Sequence, residues 1–421
     1  MFTIIYFIFL IIQVWLAVLV GYLILLTLAS FQAERRTPIH QSGEPNQQFA
    51  ILIPAHNEER LLPGLLKSLS SMDYPRQLYV VYVVADNCTD QTALIASQAR
   101  ANVHVRTDTE NPGKGPALQW LLRRIWDSGR QFDALVILDA DSLVSPDFLS
   151  IMAARIDHGE RVIQAYYAVR DPDRAWSSGL RYAALAVLHF LRPQGRMVLG
   201  GSVGLKGNGM VFVSEILRRH EWSASITEDI ELHMELILSG ERVTFAPDAI
   251  VFGEMPNSLA SSKSQHMRWE RGRLEMSRRY VPKLVEQTWR HAVRGHFQQS
   301  YLFLDAILEH LIPPFSILVG WSFLLFLGSL TWSAVSSLSM QFAPLVKGLY
   351  PSQLSLILSI VTISGLVIYL VAGLQAVHAP KKIYFTLLYS PVYISWKLIQ
   401  YLQAYTSRGP QDWVRTRRNE G

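Results

Sequence analysis

Two aspartates, Asp139 and Asp141, stand two residues apart directly after the apolar run 134–138. Carboxylates at this spacing can bind one hard cation, and Mg²⁺ or Mn²⁺ accepts few protein carboxylates together with phosphate oxygens. Such a cation neutralises a leaving diphosphate. An Asp-rich turn before a helix that starts near Pro146 explains the same residues, and the pair alone does not decide between a metal site and a turn.

Acidic and amide side chains follow two further apolar runs of strand length. Asn57 and Glu58 come after the run 49–54, and Asp86 comes after the run 79–85. Runs of this kind are typical of strands buried on both faces of a mainly parallel sheet, where ligands bind beyond the carboxyl ends of the strands. The sequence therefore predicts an α/β fold in which these strand ends converge on one site.

A lysine flanked by two glycines, Lys114, lies between the second and third of these runs. The glycines permit close backbone approach to a ligand, and the ammonium group can meet a phosphate or a nucleoside. A turn before a helix over residues 118–126 is the alternative. A second glycine turn, 207–209, precedes a predicted strand at 210–213 and is a candidate turn on the acceptor side.

An acidic segment with Glu228 and Asp229 begins at Ser225 and Thr227. A buried carboxylate of this kind can remove the proton from an attacking hydroxyl group. In the structural alternative, Ser225 and Thr227 cap a helix that runs through Leu238 and has the acids near its positive N-terminal end. Both interpretations can hold, although a helix N-terminus lowers the pKa of a carboxylate and so weakens it as a base.

Gln265, Arg268, Trp269 and Gly272 recur at the spacing of one helix face. The guanidinium group of Arg268 can donate two hydrogen bonds to a departing diphosphate. Trp269 offers a flat apolar surface for an acceptor sugar or a lipid head group. An amphipathic surface helix shows the same pattern. This pattern alone does not indicate a functional site. Together with the other motifs, it predicts a helix that closes the site.

The order of these motifs resembles the family 2 glycosyltransferases of the GT-A type over about residues 49–275. The resemblance implies a GT-A domain whose donor-binding residues are Pro54, Asn57, Glu58, Asp86, Lys114, Asp139 and Arg268. Asp229 matches the last acid of the family's acid-bearing motif, which implies that it is the general base. Ala85 departs from the commoner version of the second strand end, which carries two acids.

The string Q-x-x-R-W, from Gln265 to Trp269, is similar to that of bacterial polysaccharide synthases and of enzymes like ceramide glucosyltransferase. The resemblance implies that Gln265 and Trp269 bind the acceptor. It also implies a membrane-bound enzyme.

Apolar residues concentrate at the two ends of the chain, while 50% of all residues are hydrophobic. Residues 2–31 contain no charged side chain, which predicts a retained transmembrane helix rather than a secretory leader. The runs 312–332 and 354–374 are also long enough to cross the roughly 30 Å of a bilayer core. Residues 384–405 carry Pro391 and Lys397, which favours a helix in the membrane interface.

The predicted domain organisation follows from the position of the apolar segments at the two ends of the chain. It consists of a transmembrane helix at 1–33, a cytoplasmic catalytic domain at 47–280, an amphipathic connector at 281–311, two transmembrane helices at 312–376, and an interfacial helix with a basic cytoplasmic tail at 377–421. Arg35 and Arg36 follow the first helix, and the positive-inside bias places the catalytic domain in the cytoplasm. We expect a multi-pass protein of a bacterial-type plasma membrane that contacts membrane lipids.

Charge and cysteine usage exclude other classes of protein. The net charge of +5 does not indicate a nucleic-acid partner, because arginine and lysine cluster mainly beside the apolar runs. The single cysteine, Cys88, excludes an intrachain disulfide and a multi-cysteine zinc site, and it fits a reducing compartment.

The predicted function is inverting transfer of a sugar from a nucleotide diphosphate sugar, with a UDP-sugar favoured, to a lipid or lipid-linked glycan. A processive synthase of poly-hexose or poly-N-acetylhexosamine is the alternative, although three spans are few for a polymer channel. A nucleotidyltransferase-like enzyme does not need Asp229 followed by Q-x-x-R-W. A non-catalytic membrane scaffold does not need acids at three strand ends.

Overall fold

The computed structural model describes residues 2–33, 44–225, 227–254, 259–342 and 352–406. Arg35, Arg36 and the basic tail from residue 407 onward lie outside this part of the chain.

One mixed sheet forms the centre of the described structure. Its strands are β1 Phe49–Ala55, β2 Tyr79–Asp86, β3 Asn102–Arg106, β4 Ala134–Ile137, β5 Ser142–Val144, β6 Val162–Val169, β7 Met210–Val213 and β8 Val243–Gly253, in the spatial order β3-β2-β1-β4-β7-β6-β8-β5. The four strands predicted from the apolar runs are confirmed as β1, β2, β4 and β7. The pairings β1–β2, β2–β3, β1–β4 and β6–β8 are parallel, whereas β4–β7, β6–β7 and β5–β8 are antiparallel. The predicted α/β class is confirmed, and the parallel half of the sheet carries the acidic strand ends.

Helices cover both faces of this sheet and extend the chain beyond it. They are α1 Phe2–Ala33, α2 Leu62–Ser70, α3 Thr92–Gln98, α4 Lys114–Asp127, α5 Phe148–Asp157, α6 Trp176–Leu185, α7 Arg192–Leu199, α8 Ser214–Arg219, α9 Glu228–Leu238, α10 Leu259–Val293, α11 Phe297–Leu311, α12 Phe315–Phe342, α13 Ser352–Ala376, α14 Lys381–Thr386 and α15 Ser390–Thr406. A π-helical turn, Ala186–Leu191, joins α6 to α7. The helix predicted at 118–126 begins earlier, at Lys114, so that lysine occupies its first turn.

The core consists of two apolar layers, one on each face of the sheet. Ile51 packs in the layer that contains helices α2 and α5, and its neighbour Leu52 packs in the layer that contains α4 and α9. Successive strand residues point to opposite faces, and both faces are buried here. This is why the strands are continuous apolar runs, and why polar side chains begin where the strands end.

Three described helices are long and apolar enough to cross a membrane, over Ile4–Ala33, Phe315–Ala334 and Gln353–Ala376. A buried polar group joins them: the side-chain amide of Gln13 donates to Ser329 Oγ at 2.9 Å and to Ser359 Oγ at 2.7 Å. Polar contacts between apolar helices specify their pairing because hydrocarbon offers no other partner.

The segment that was predicted to lie in the interface forms α14, a short 3₁₀ turn and α15. Helix α15 packs against α10 and α12, and its Lys397 is only 9% exposed. Helix α10 runs across residue 280, the predicted end of the catalytic domain, and that boundary stays a prediction.

A buried ion pair connects the sheet domain to the apolar helices. Arg196 of α7 donates to Asp305 of α11 at 2.7 Å, and both residues are at most 1% exposed. Asp305 also accepts from the hydroxyl of Tyr22 in α1 at 2.7 Å and from the backbone N–H of Ser202 at 3.1 Å. One carboxylate therefore holds α1, α7 and α11 together.

We expect Asp305→Ala to lower the free energy of unfolding by about 3–5 kcal/mol, because buried Arg196 would lose its shortest ion pair and keep only the longer contact with Glu309, at 3.5 Å. Unfolding of the purified protein in detergent measures this change. Glu215→Ala is the matched control, since Glu215 pairs with Arg219 where both side chains are more than half exposed. Its loss should cost about 0–1 kcal/mol, and equal effects of the two substitutions would contradict the assignment.

Candidate active site

The acidic strand ends open into a cavity of about 860 Å³. The predicted site residues that line it are Pro54, Glu58, Asp86, Lys114, Asp139, Asp141, Asp229, Arg268 and Trp269. Asn57 is not among the lining residues, and the side chain of Gln265 lies outside the described residues. The fold thus brings together residues that are up to 215 positions apart, from Pro54 to Trp269.

Asp86 at the end of β2 is held by an arginine that the sequence analysis missed. Arg106 at the end of β3 donates to Asp86 Oδ1 at 2.5 Å and to Asp108 Oδ2 at 2.7 Å. Asp86 and Arg106 are 6% and 4% exposed. The sequence did contain a signal for this contact. Arg106 is the charged residue that ends the next strand, and neighbouring parallel strands place their ends side by side. Arg106 thereby fixes the orientation of the Asp86 carboxylate at the cavity wall.

Asn57 and Glu58 share a loop but face different surroundings. The side-chain oxygen of Asn57 accepts from the backbone N–H of Thr89 at 2.8 Å, which ties the loop after β1 to the loop after β2. Its φ of 55° is a left-handed value that asparagine tolerates better than most residues. Glu58 is 7% exposed, and its backbone N–H donates to Thr92 Oγ1 at 2.8 Å. A donor contact by Asn57 stays a prediction, whereas Glu58 lines the cavity.

Lys114 occupies the centre of the acidic part of the cavity. Its ammonium group donates to Asp139 Oδ1 at 2.5 Å and to the carbonyl oxygen of Gly207. Burial lowers the pKa of Lys114, but the carboxylates of Asp139, Glu228 and Asp229 raise it above its usual value overall. Lys114 therefore remains a cation and partly balances these acids.

The turn that carries Asp139 and Asp141 is fixed by Asn208, which is fully buried. The side-chain oxygen of Asn208 accepts from the backbone N–H of Asp139 at 3.1 Å, and its amide donates to Ser142 Oγ at 2.7 Å. The glycine turn that was considered for the acceptor side thus supports the two aspartates. Gly207 and Gly209 have φ values of 74° and 66°, which glycine adopts without strain.

The aspartate pair suits a magnesium or manganese ion. Both side chains are partly exposed to the cavity, and the carboxylate of Asp139 already holds a cation, the ammonium group of Lys114. No group of three or more His, Cys, Asp or Glu side chains that could hold a metal occurs in the described part of the chain. Two carboxylates without further protein ligands leave coordination positions for phosphate oxygens and water, as these ions require.

Asp229 lies in the first turn of α9, where its Oδ1 accepts from the backbone N–H of Ile230 at 2.9 Å. The helix through Leu238 is confirmed, but the predicted side-chain cap is wrong: Thr227 occupies the N-cap position without a capping hydrogen bond. The expected lowering of the pKa by the helix N-terminus is present, because the backbone N–H of Ile230 donates to this carboxylate, but burial outweighs it. Burial raises the pKa of Asp229 despite the opposing effects of Lys114 and the backbone. A raised pKa makes Asp229 a better proton acceptor.

Glu228 is the second acid at this turn. Burial and the adjacent Asp229 raise its pKa to about 7. Two neighbouring carboxylates in a buried site do not both ionise easily. The pair therefore favours one negative charge and one proton near neutral pH.

The helix face that was predicted to close the site lies against this turn. Arg268 and Trp269 line the cavity, and the Trp269 side chain is 42% exposed. Gly272, one turn later, packs so closely on Thr227 that any side chain at this position would overlap it. Burial lowers the pKa of Arg268, while the carboxylate of Glu228 opposes the shift.

The cavity continues beyond the predicted site toward the apolar helices. Its further lining includes the charged or polar residues His189, Arg192, Lys206 and Glu309 and the apolar residues Phe315, Val319, Leu370, Leu387 and Ile394. None of these lining residues is recognisable from the sequence, because they belong to no motif. They meet only because α7, α11 and the apolar helices pack together.

Comparisons with known proteins give a consistent result. Residues 45–272 match the family described as "Glycosyltransferase like family 2". The chain is 26% identical over 286 residues to the beta-monoglucosyldiacylglycerol synthase of Synechocystis sp., covering 66% of this chain and 57% of that protein. It is also 26% identical to an N-acetylglucosaminyltransferase of Mesorhizobium japonicum, covering 70% of both chains.

A second synthase of the first kind, from Nostoc sp., is 29% identical over 45% of this chain and 41% of its own length. The chain thus spans about half the length of these two synthases. Among solved structures, the mannosyltransferase of Pyrobaculum calidifontis in complex with GDP-Man and Mn²⁺ is similar with a TM-score of 0.48 and 17% identity, covering 84% of this chain and 99% of that chain.

We expect Gly272→Ala to lower the free energy of unfolding by about 1–3 kcal/mol, because the added methyl group must push α10 away from the turn at Thr227. Gly64→Ala in α2 is the control, since a methyl group there would make only ordinary contact, 3.4 Å from Leu143. It should be neutral or stabilising by up to about 1 kcal/mol. Thermal unfolding in detergent compares the two, and a Gly272→Ala protein as stable as the control would refute the close packing.

Proposed function

The chain belongs to glycosyltransferase family 2, and from this premise we propose that it transfers a hexose from a nucleotide diphosphate sugar to a lipid or lipid-linked acceptor. We propose a UDP-sugar as the donor, inversion at the anomeric carbon, and a multi-pass membrane protein with a cytoplasmic catalytic domain.

The continuity of the cavity supports this proposal most strongly. The same space is lined by Asp139 and Asp229 and by Phe315, Val319 and Leu370 of α12 and α13. Both helices are apolar enough to cross a membrane. A cavity that has both acidic and apolar walls suits an acceptor with a polar head group and acyl chains. A glucosyldiacylglycerol synthase among the relatives is consistent with such an acceptor.

On the donor side, we assign the nucleoside to Glu58 and Asp86 and the diphosphate to Lys114 and Arg268. Asp139 and Asp141 would hold Mg²⁺ or Mn²⁺, which neutralises diphosphate charge when it is bound. Lys114 supplies positive charge to the same region, because its ammonium group lies on Asp139 and near Glu228.

In the transfer step, Asp229 accepts the proton of the acceptor hydroxyl group. The hydroxyl oxygen forms a bond to the anomeric carbon, and the bond from that carbon to the diphosphate breaks, with its electron pair leaving on the phosphate oxygen. Arg268 can stabilise this departing charge, because its guanidinium group lies in the same cavity. A single displacement of this kind inverts the anomeric centre and needs one base.

We place Trp269 at the acceptor, where its exposed indole ring offers a stacking surface for a sugar or a head group. Gln265 keeps its predicted acceptor role as part of this proposal. A processive polysaccharide synthase is the second candidate, but a cavity wall that contains Phe315, Val319 and Leu370 suits acyl chains better than a polar glycan.

We expect Asp141→Ala and Asp229→Asn each to lower the transfer rate at least about a hundredfold, because each removes a group that acts in the displacement. Only Asp141→Ala should also weaken donor binding that depends on metal. Release of nucleoside diphosphate, and donor affinity with and without a chelator, measure the two effects.

Asp127→Asn is the matched control, because Asp127 is exposed at the end of α4, away from the cavity lining. It should behave like the wild type. Wild-type turnover in either site variant would refute the assigned roles.

We expect the acid limb of the pH profile of kcat/KM to lie above the ordinary aspartate range near about 3.9. Asp229 acts as a base only when it is deprotonated, and burial raises its pKa, so activity is lost as the pH falls through that raised value. Initial rates measured across acidic and neutral pH test this, and a limb near 3.9 would be evidence against Asp229 as the buried base.

A further inference from the structure

Arg106 lies behind the wall of the cavity and contacts three groups on its donor side. Its Nη1 donates to Asp86 Oδ1 at 2.5 Å, and its Nη2 donates to Asp108 Oδ2 at 2.7 Å and to the backbone oxygen of Asn111 at 2.8 Å. Asp86 is an acid that we assign to the nucleoside, and the loop at Asn111 leads to Lys114. One guanidinium group therefore connects both parts of the proposed donor site.

Asn87 holds the same segments together from the other side. Its backbone N–H donates to the carbonyl oxygen of Arg106 at 2.8 Å. Its side-chain oxygen accepts from the backbone N–H of Asp108 at 2.9 Å, and its amide donates to the backbone oxygen of Asp108 at 3.0 Å. The guanidinium group of Arg106 is planar and only 4% of the residue is exposed, so it cannot turn without breaking these contacts. The Asp86 carboxylate is thereby held in one orientation.

The two oxygens of the Asp86 carboxylate have different surroundings. Oδ1 accepts from Arg106 Nη1 and, at 3.3 Å, from the side-chain amide of Asn87. Oδ2 makes no hydrogen bond with any residue of the described ranges, and it is not sealed from solvent. Because Asp86 lines the cavity, Oδ2 is the oxygen that a base inside the cavity can reach.

A carboxylate with one available oxygen suits a base that presents one N–H group. Uracil and thymine carry a single ring N–H, at N3, between two carbonyl oxygens. Guanine presents its N1–H and its N2 amino group side by side, and the pair matches both oxygens of a carboxylate. With Oδ1 engaged, one of the two guanine donors would lose its partner when the base leaves water, which is unfavourable.

We propose that Arg106 is a positioning residue that determines the base specificity of the donor site. It engages Asp86 Oδ1 and leaves Oδ2 as a single acceptor, which selects uracil or thymine over guanine. The inference rests on the proposed transfer from a nucleotide diphosphate sugar, and it names the residue that gives rise to the preference for a UDP-sugar.

Binding of nucleoside diphosphates tests this specificity without a lipid acceptor. Isothermal titration calorimetry of the full-length protein in detergent, with Mg²⁺ present, measures the dissociation constants of UDP, N3-methyl-UDP and GDP. The wild type should bind UDP at least about tenfold more tightly than N3-methyl-UDP, which lacks the donor at N3, and than GDP, which leaves one donor unpaired.

Arg106→Met should lower the preference for UDP over GDP at least about fivefold, because both oxygens of Asp86 become available. A role in stability alone would weaken the binding of all nucleotides by the same factor. Arg106→Lys keeps a cation beside Asp86 and should retain part of the preference. Arg123→Met is the matched control, since the side chain of Arg123 in α4 is 64% exposed, and it should behave like the wild type.

Asp86→Asn distinguishes the two oxygens directly, because Arg106 can only donate hydrogen bonds. Arg106 would hold the oxygen of the new amide at the position of Oδ1, so the amide N–H group would face the base. This group opposes the N3–H of uracil, whereas it can donate to the N3 lone pair of cytosine. We therefore expect the variant to bind CDP more tightly than UDP, in contrast to the wild type.

The double variant of Arg106→Met and Asp86→Asn completes the test. Its amide can rotate, so the preference for CDP should disappear. An Asp86→Asn protein that still prefers UDP, or an Arg106→Met protein with the wild-type ratio of UDP to GDP affinity, would overturn the role of Arg106 alone. A wild type that prefers GDP would overturn it together with the UDP-sugar donor. A wild type that binds no nucleoside diphosphate would overturn the proposed function as well.

Discussion

The ammonium group of Lys114 is the contact on which the organisation of the site depends. It joins Asp139, which follows β4, to the carbonyl oxygen of Gly207, and it compensates the charge of Glu228 and Asp229. Without a cation at this point, three carboxylates would face the same part of the cavity and repel one another. The position of Lys114 in the first turn of α4, and the left-handed turn at Gly207, both serve this contact.

A second buried charge centre determines where the apolar helices meet this site. Asp305 binds Arg196, Tyr22 and Ser202, and so connects α1 and α11 to the main chain that leads to Lys206 and the glycine turn. The apolar helices are therefore packed directly on the domain that carries the acids. This packing creates one cavity with both charged and apolar walls, which is the physical basis for proposing a lipid acceptor.

The parts of the molecule that the sequence predicted are those with a local signal. The strands β1, β2 and β4 were recognisable because burial on both faces demands an unbroken apolar run, and the acids after them mark the strand ends. Asp139, Lys114 and Arg268 were recognisable by motif. Arg106 was not, because its role comes from Asp86, a neighbour 20 residues away in the sequence. The net direction of the pKa shift of Asp229 was not predictable, because the lowering by the helix N-terminus is local in sequence, whereas the burial that outweighs it comes from tertiary packing.

The chemical identity of the product decides whether the protein transfers a hexose to a lipid. The purified protein would be incubated in vesicles that contain dioleoylglycerol, with a sugar nucleotide and Mg²⁺ or Mn²⁺, and the lipids would be analysed by mass spectrometry and NMR. We expect a lipid that has gained one hexose residue, with the anomeric configuration opposite to that of the donor. A polysaccharide product, a retained configuration, or nucleotide release without any glycosylated lipid would contradict it.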